Sequence, residues 1–334
     1  MRTLNIHSFA ATPALLHAAD QFLTGIGSHK NFIASCSPGL QNVLWPYVNE
    51  RQDLSERWNH PNLIIPFLFN ELFNLQDAEK LKTICAAYLA CDHFTHLLDD
   101  LADEKQREDQ ALLAHASHLM LSRGRKLYVD ITSDPSGFLD FFEKYLTDAM
   151  SGEQGLWKRV KNLKPYDEAD FNMLRSRGSM LNICLAAYCD IADRWNMWSL
   201  LEYAFGEIIV GIQLLDDVVD VEKDFKNSIY TQPLVTAISK LGNSEPAWEN
   251  ISEQLIHSNG WTDSIAVAVS FIERGKAELA KVSLPSICSA LDNIILSADE
   301  LSKAIISARK ASTLSASVKV NSILKLPIIR NLSH

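Results

Sequence analysis

The chain has 334 residues with only 13 glycines and 11 prolines, whereas an average chain of this length has about 40 of the two together. Strands need frequent turns and helices do not, so this deficit predicts an all-α fold and argues against a β-sandwich. The net charge of −10 argues against a nucleic-acid partner, because phosphate backbones would repel it.

The six cysteines and the apolar segments indicate the cellular setting. No two cysteines form a C-x-x-C pair, which argues against a zinc site or a disulfide framework. No uninterrupted apolar run reaches the roughly 18 residues of a membrane helix, and residues 1–27 lack a signal-peptide core. We therefore expect a cytoplasmic protein that does not insert into a membrane.

Apolar residues at helical spacing predict the helices in chain order at about 77–103, 109–131, 136–150, 166–193, 198–225, 234–241, 264–282 and 286–311. Helix-breaking prolines fall between these stretches, at Pro135, Pro165, Pro233 and Pro285. No linker or internal repeat marks a domain boundary, so we expect one domain over 1–334. Its architecture would be a single large antiparallel helical bundle.

The helix predicted at 77–103 ends in an acidic cluster that we call the first acidic segment, 99–103. It contains Asp99, Asp100 and Asp103, and a helical wheel places Asp99 and Asp103 in one polar stripe with Asp92 and His96. Like charges one turn apart destabilise a helix, and charges that face a core need a compensating partner. The cluster is therefore either a solvated helix end or a cation site.

A second acidic segment, 216–224, ends the apolar run of the helix predicted at 198–225. Asp216, Asp220 and Asp224 are spaced by four residues and share one face of a helix, whereas Asp217 turns away from it. Two such segments, each closing an apolar helix, favour a site over two solvated helix ends. Carboxylates without histidine or cysteine are typical ligands of a hard cation such as Mg²⁺.

Together the two segments resemble the paired aspartate-rich motifs of the class I isoprenoid synthases, which comprise the trans-prenyl diphosphate synthases and the class I terpene cyclases. Residues 99–103 match the first motif, D-D-x-x-D, and 213–220 resemble the second, Q-x-x-D-D-x-x-D. The resemblance covers about residues 62–233. It implies a helical bundle around a deep apolar cavity, where three Mg²⁺ ions, or Mn²⁺ as a substitute, bind a prenyl diphosphate substrate. Homodimers are common in the family.

The resemblance also implies roles for individual residues. Asp99, Asp100 and Asp103 would bind two of the Mg²⁺ ions, and Asp216, Asp220 and Asp224 would bind the third. Arg177, with Arg175 as the alternative, would contact the diphosphate, and Lys226 resembles the lysine that follows the second motif. Phe94 and Tyr88 would line the cavity. Asp99, Asp103 and Arg177 are expected to take part in ionising the substrate. Ordinary surface charges and core aromatics are the alternative interpretation.

The reaction class depends on whether a second diphosphate binds. Chain-elongating relatives hold isopentenyl diphosphate with a G-K-x-x-R-P segment before the first motif and an Arg-Arg pair after it. The corresponding stretches here, 57–66 and 104–109, lack the lysine, the second arginine and the pair. This favours a class I terpene synthase, a lyase that cyclises or rearranges the allylic cation and releases diphosphate. Two alternatives stay open: a trans-prenyl diphosphate synthase, and a non-catalytic regulatory subunit of one.

Overall fold

The computed structural model describes residues 13–49, 68–103, 109–241, 247–310 and 316–324, which are helical and contain no β-strand. The α-helices are α1 (Pro13–Ala34), α2 (Pro38–Asn49), α3 (Ala78–Asp103), α4 (Gln110–Ile131), α5 (Pro135–Arg159), α6 (Glu168–Arg177), α7 (Ser179–Ile191), α8 (Trp198–Val219), α9 (Val221–Lys226), α10 (Gln232–Leu241), α11 (Trp248–His257), α12 (Gly260–Ala280), α13 (Pro285–Lys310) and α14 (Ala316–Leu324). A helical turn at 68–73 precedes α3, and a 3₁₀ turn at Trp195–Met197 precedes α8. The prediction of an all-α chain is confirmed.

Two of the predicted helices are divided in the structure. The stretch 166–193 forms α6 and α7 on either side of Gly178, and 198–225 forms α8 and α9 on either side of Asp220. A Cβ atom on Gly178 would lie 2.4 Å from the Ile209 side chain, so the chain passes α8 very closely at this break. Apolar periodicity did not show either break, because it continues across both.

Tertiary contacts group the chain into two compact units. We call them the N-terminal unit, Arg2–Leu146 with Met180–Ser199, and the C-terminal unit, Thr147–Ser179 with Leu200–His334. One domain over 1–334 stays a prediction. Each acidic segment belongs to one unit, the first to the N-terminal unit and the second to the C-terminal unit.

In the N-terminal unit, α3 packs against α1 and α4 at positions where glycine removes the side chain. A Cβ atom on Gly25 of α1 would lie 2.7 Å from the Cys85 side chain of α3. A Cβ atom on Gly124 of α4 would lie 2.5 Å from the sulfur of Cys91. These close contacts fix α3, which ends in the first acidic segment, at two heights along its length.

A pair of buried histidines also joins α1 to α3. Nε2 of His29 and Nδ1 of His93 are 3.0 Å apart, so one nitrogen donates a hydrogen bond to the other. Burial, and secondly the charge of Arg123, lower the pKa of His29 to about 4, while Asp92 acts in the opposite direction. His29 is therefore neutral in the folded protein at pH 7.

In the C-terminal unit, α8 and α12 pack through two more glycines. A Cβ atom on Gly211 of α8 would lie 2.5 Å from the Ile272 side chain, and one on Gly275 of α12 would lie 2.5 Å from the carbonyl oxygen of Ala204. At the end of α8, the indole of Trp261 donates a hydrogen bond of 3.1 Å to the carbonyl oxygen of Val218. The end of α8, from which the second acidic segment continues, is thereby fixed.

Within the part of the chain that the structure describes, the segment Trp195–Val219 is long and apolar enough to cross a membrane, and half of its most apolar 18-residue window is buried in the molecule. It contains Glu207, whose side chain is 2% exposed and forms ion pairs with Arg175 and Arg274. A buried carboxylate held by two arginines is compatible with a core helix, since its charge is compensated by neighbouring helices. A buried core helix can be as long and as apolar as a membrane span.

We predict that His29 makes the stability of the protein depend on pH. The pKa is lower in the folded state than its usual value of about 6.5, so the contribution to stability is complete above pH 6.5. It is lost as the pH falls towards 4, because the unfolded chain then binds a proton that the folded chain excludes. Urea unfolding of the wild type and of His29→Gln at pH 7.5 and pH 5 measures this loss.

The wild type should lose about 2 kcal/mol more than His29→Gln between these two pH values. His115→Gln, at an exposed position of α4, is the matched control and should behave as the wild type does. An identical loss in wild type and His29→Gln would contradict the prediction.

Candidate functional site

The first acidic segment forms the last turn of α3. Asp99 and Asp100 are half-buried, and Asp103 is the last residue of the helix, although its side chain is outside the described part of the structure. The two predicted cavity residues on the same helix, Phe94 and Tyr88, are 5% and 7% exposed, so both lie in the interior of the N-terminal unit. Such burial is expected both for residues that line a cavity and for ordinary core residues.

The second acidic segment keeps its one-turn spacing across the break between α8 and α9. The amide of Asp220 donates to the carbonyl oxygen of Asp216 at 2.9 Å, and the amide of Asp224 donates to that of Asp220 at 2.9 Å. The backbone thus still places these three residues one turn apart, although Asp220 itself is the junction between two helices.

Two carboxylates of this segment are strongly affected by burial. Burial, and secondly the charges of Asp224 and Asp216, raise the pKa of Asp217 well above its usual value, against the effects of Arg177 and of the amide of Gln232. Its Oδ2 atom is buried and has no hydrogen-bond partner. Burial and the charge of Asp220 raise the pKa of Asp224 to about 7.

Two lysines of α9 pair with acids of the second acidic segment. Lys223 pairs with Asp220 at 3.1 Å, and Lys226 pairs with Glu222 at 2.8 Å. Both lysine side chains are about two-thirds exposed. Surface pairs of this kind contribute little stabilisation. These two lysine pairs therefore contribute little to the compensation of the negative charge of the second acidic segment.

Arg177 and Arg175 have different surroundings. The guanidinium of Arg175 is bonded to the Glu207 carboxylate through Nε and Nη2, and its Nη1 donates to Glu168 and to Asn172. Arg177 pairs with Glu153 at 2.7 Å, and its charge lowers the pKa of Asp217. Of the two arginines, Arg177 is the one that acts on the second acidic segment.

Three residues that the sequence analysis did not select contact the second acidic segment or lie close to it. The hydroxyl of Thr231 donates to Oδ2 of Asp224 at 3.2 Å, and the amide of Gln232 donates to Asp217. The amide of Tyr166 donates to Oε1 of Gln232 at 3.2 Å, and burial followed by the charge of Asp217 raises the pKa of its hydroxyl. Tyr166 is 66 residues away from Gln232, and no local pattern links the two.

The donor set fits a hard divalent cation that brings further ligands with it. Among the described residues, no group of three or more histidine, cysteine, aspartate or glutamate side chains is arranged to hold a metal ion unaided. Mg²⁺ usually keeps water and phosphate oxygens in its coordination shell, so it needs few protein ligands. The carboxylate-only composition of Asp216, Asp220 and Asp224 suits such an ion. The buried, unpartnered Oδ2 atom of Asp217 adds negative charge next to them.

No family profile and no curated protein matches the sequence. Solved structures do match. A geranylgeranyl pyrophosphate synthase from Lactobacillus brevis superposes with a TM-score of 0.67 at 13% identity, covering 94% of this chain and 96% of that one. The chain has the class I isoprenoid synthase fold. A polyprenyl synthase from Caulobacter crescentus, complexed with calcium and isoprenyl diphosphate, superposes with a TM-score of 0.63 at 14% identity, covering 84% of this chain and 97% of that one.

These comparisons establish the isoprenoid synthase fold. At 13% and 14% identity they do not assign roles to individual residues, which stay predictions. The stretches 57–66 and 104–108, where the sequence lacks the basic residues of chain-elongating relatives, lie outside the described residues.

We predict that Gly152 determines how closely α5 approaches α6 near Arg177. A Cβ atom at position 152 would lie 2.6 Å from the backbone nitrogen of Arg177 and 2.7 Å from the carbonyl oxygen of Met173. Backbone atoms cannot rotate away, so Gly152→Ala should force the helices apart and lower the free energy of unfolding by about 1–3 kcal/mol. Urea unfolding measures this loss.

Gly27→Ala is the matched control, because a Cβ atom at that position of α1 would have no neighbour within 4 Å. It should leave stability unchanged or raise it slightly, since alanine is the better helix former. Equal stabilities of the wild type and Gly152→Ala would count against the proposed close contact.

Proposed function

We propose that this protein is a metal-dependent enzyme that ionises an allylic prenyl diphosphate and joins the allyl group to isopentenyl diphosphate. The observation that carries the first half is the second acidic segment, a set of partly buried carboxylates held one helical turn apart in an isoprenoid synthase fold. The second half is supported by the likeness to two prenyl diphosphate synthases over most of each chain. Fold likeness alone does not determine chemistry, so the use of isopentenyl diphosphate as the acceptor needs a test of its own.

The acidic segments are proposed to hold the cations. Asp99, Asp100 and Asp103 would bind two Mg²⁺ ions, and Asp216, Asp220 and Asp224 would bind the third. When bound, Mg²⁺ or Mn²⁺ would neutralise charge on the diphosphate oxygens. A divalent cation is supported by the Caulobacter crescentus neighbour, which is described with calcium and isoprenyl diphosphate.

The other predicted residues would bind the substrate and exclude water. The guanidinium of Arg177 would donate to diphosphate oxygens where negative charge develops as the carbon–oxygen bond breaks, and Lys226 would add a second cation. Phe94 and Tyr88 would keep water from the allylic cation and stabilise it with their ring faces. In elongation, the isopentenyl double bond supplies the electrons of the new carbon–carbon bond, and a proton leaves the neighbouring carbon.

A class I terpene synthase is the second candidate, and one sequence observation favours it. The chain lacks the lysine, the second arginine and the Arg-Arg pair with which elongating relatives hold the second diphosphate. An enzyme that cyclises a single prenyl diphosphate needs none of these residues. The same cations and the same ionisation would then serve an intramolecular reaction.

A product assay separates the two candidates. The purified protein is incubated with Mg²⁺ and geranyl, farnesyl or geranylgeranyl diphosphate, with and without isopentenyl diphosphate, and products are identified by mass spectrometry. Longer linear diphosphates formed only with both substrates support elongation. Hydrocarbons or alcohols formed together with inorganic diphosphate from one substrate support the terpene synthase instead. Absence of any turnover with each substrate would overturn both.

We predict that Asp216→Asn lowers kcat/KM roughly 100-fold and raises the Mg²⁺ concentration needed for half-maximal rate. The variant removes a proposed ligand of a metal ion that would contribute several kcal/mol to charge stabilisation. Asp263→Asn, at an exposed position of α12 in the same unit, is the control and should leave both values unchanged. Steady-state kinetics over a range of Mg²⁺ concentrations measures the effect. A wild-type Mg²⁺ response in Asp216→Asn would exclude Asp216 as a metal ligand.

A further inference from the structure

A buried arginine, Arg159, closes the loop between α5 and α6. Its side chain is 5% exposed, and its Nε atom pairs with Oδ1 of Asp170 at 2.8 Å. Its Nη1 atom donates to the carbonyl oxygen of Asn162 at 2.6 Å, and its Nη2 atom donates to that of Lys164. The guanidinium also lies over the ring of Tyr166, 4.4 Å from the centroid. One side chain thus fixes the course of the loop 160–167.

This loop is bonded at both ends to the residues that follow α9. The amide of Tyr230 donates to the carbonyl oxygen of Val160 at 2.8 Å, and the amide of Tyr166 donates to Oε1 of Gln232 at 3.2 Å. The stretch 230–232 therefore lies along the loop and is held at two points.

The same short stretch contacts two carboxylates of the second acidic segment. Thr231 donates its hydroxyl proton to Asp224, and Gln232 donates its amide proton to Asp217. Hydrogen bonds thus join Arg159 to the loop, the loop to the stretch 230–232, and this stretch to the acidic segment. All of its members belong to the C-terminal unit.

We propose that Arg159 is a positioning residue for the second acidic segment, because it holds the loop 160–167 that in turn keeps Thr231 and Gln232 against Asp224 and Asp217. The inference rests on the proposed function, in which this segment binds divalent cations together with diphosphate. Residues that orient metal-binding carboxylates typically change metal affinity by 10- to 100-fold when they are replaced.

The chemistry of arginine suits this task. Its planar guanidinium can donate in three directions at once, here to Asp170 and to two carbonyl oxygens, whereas a lysine ammonium lacks that rigid fork. Asp170 also accepts the amide proton of Asp167 at 2.9 Å and so helps to begin α6. Arg159 therefore couples the loop to the start of the helix that carries Arg177.

The test measures binding of Mn²⁺ in the presence of inorganic diphosphate, by the decrease of the free Mn²⁺ signal in electron paramagnetic resonance. Arg159→Gln should weaken this binding roughly 10-fold, and Arg159→Lys should give an intermediate value. Arg309→Gln is the matched control. Arg309 also donates to two backbone carbonyl oxygens and one side chain of the C-terminal unit, at Ile256, Ser258 and Asn259.

The outcomes separate the inference from the proposed function. If the wild type binds no Mn²⁺ with diphosphate, the proposed function fails. If the wild type binds and Arg159→Gln binds equally well, the positioning role is wrong. It is also wrong if Arg309→Gln weakens binding as much as Arg159→Gln, because the effect would then follow from general destabilisation. Thermal unfolding of each variant shows whether their stabilities are comparable.

A second variant covers the case in which Arg159→Gln does not fold. Gln232→Leu keeps a side chain of similar size at a half-buried position but removes the acceptor for the amide of Tyr166. The backbone amide of residue 232 remains available to Asp217. We expect Gln232→Leu to weaken Mn²⁺ binding several-fold, and unchanged binding in this variant would overturn the inference.

Discussion

The compensation of buried negative charge governs the C-terminal unit. Glu207, in the middle of the apolar helix α8, is 2% exposed and receives hydrogen bonds from Arg175 and Arg274 on two other helices. At the end of the same helix, the second acidic segment pairs with the exposed lysines Lys223 and Lys226, and Asp217 has a buried oxygen without a hydrogen-bond partner. Glu207 is thus neutralised within the chain, whereas for the second acidic segment we propose that a bound divalent cation supplies positive charge.

Helix packing explains the positions of several glycines. Several of the 13 glycines lie where two helices come into contact, including Gly124 against α3, Gly152 against α6 and Gly211 against α12. At each of these positions a methyl group would come within 2.7 Å of a neighbouring atom. The glycines at these contacts therefore allow close packing, and the helices that bear the acidic segments are among those they fix.

Apolar periodicity and proline boundaries predicted much of the fold, including the helices α3, α4, α10, α12 and α13. The breaks at Gly178 and Asp220 were missed, since they depend on contacts with other helices and leave the periodicity intact. The acidic segments were recognisable from spacing alone. Arg159 and Gln232 were not, because Arg159 bonds to backbone carbonyl oxygens that any residue has and Gln232 bonds to a residue 66 positions away. Thr231 lies only seven residues after its partner Asp224, but a single threonine forms no recognisable pattern.

The trio formed by Glu207, Arg175 and Arg274 has a consequence for how the sequence can diverge. Both arginines share the buried Glu207 carboxylate, so a lineage that loses Glu207 retains two cations against the ring of Phe271 and loses the acid that joins them, although Arg175 keeps its pair with Glu168. Replacement of either arginine alone leaves the buried acid partly unbalanced. The three positions are therefore expected to change together, and related chains should carry either the whole trio or an apolar substitute for all of it.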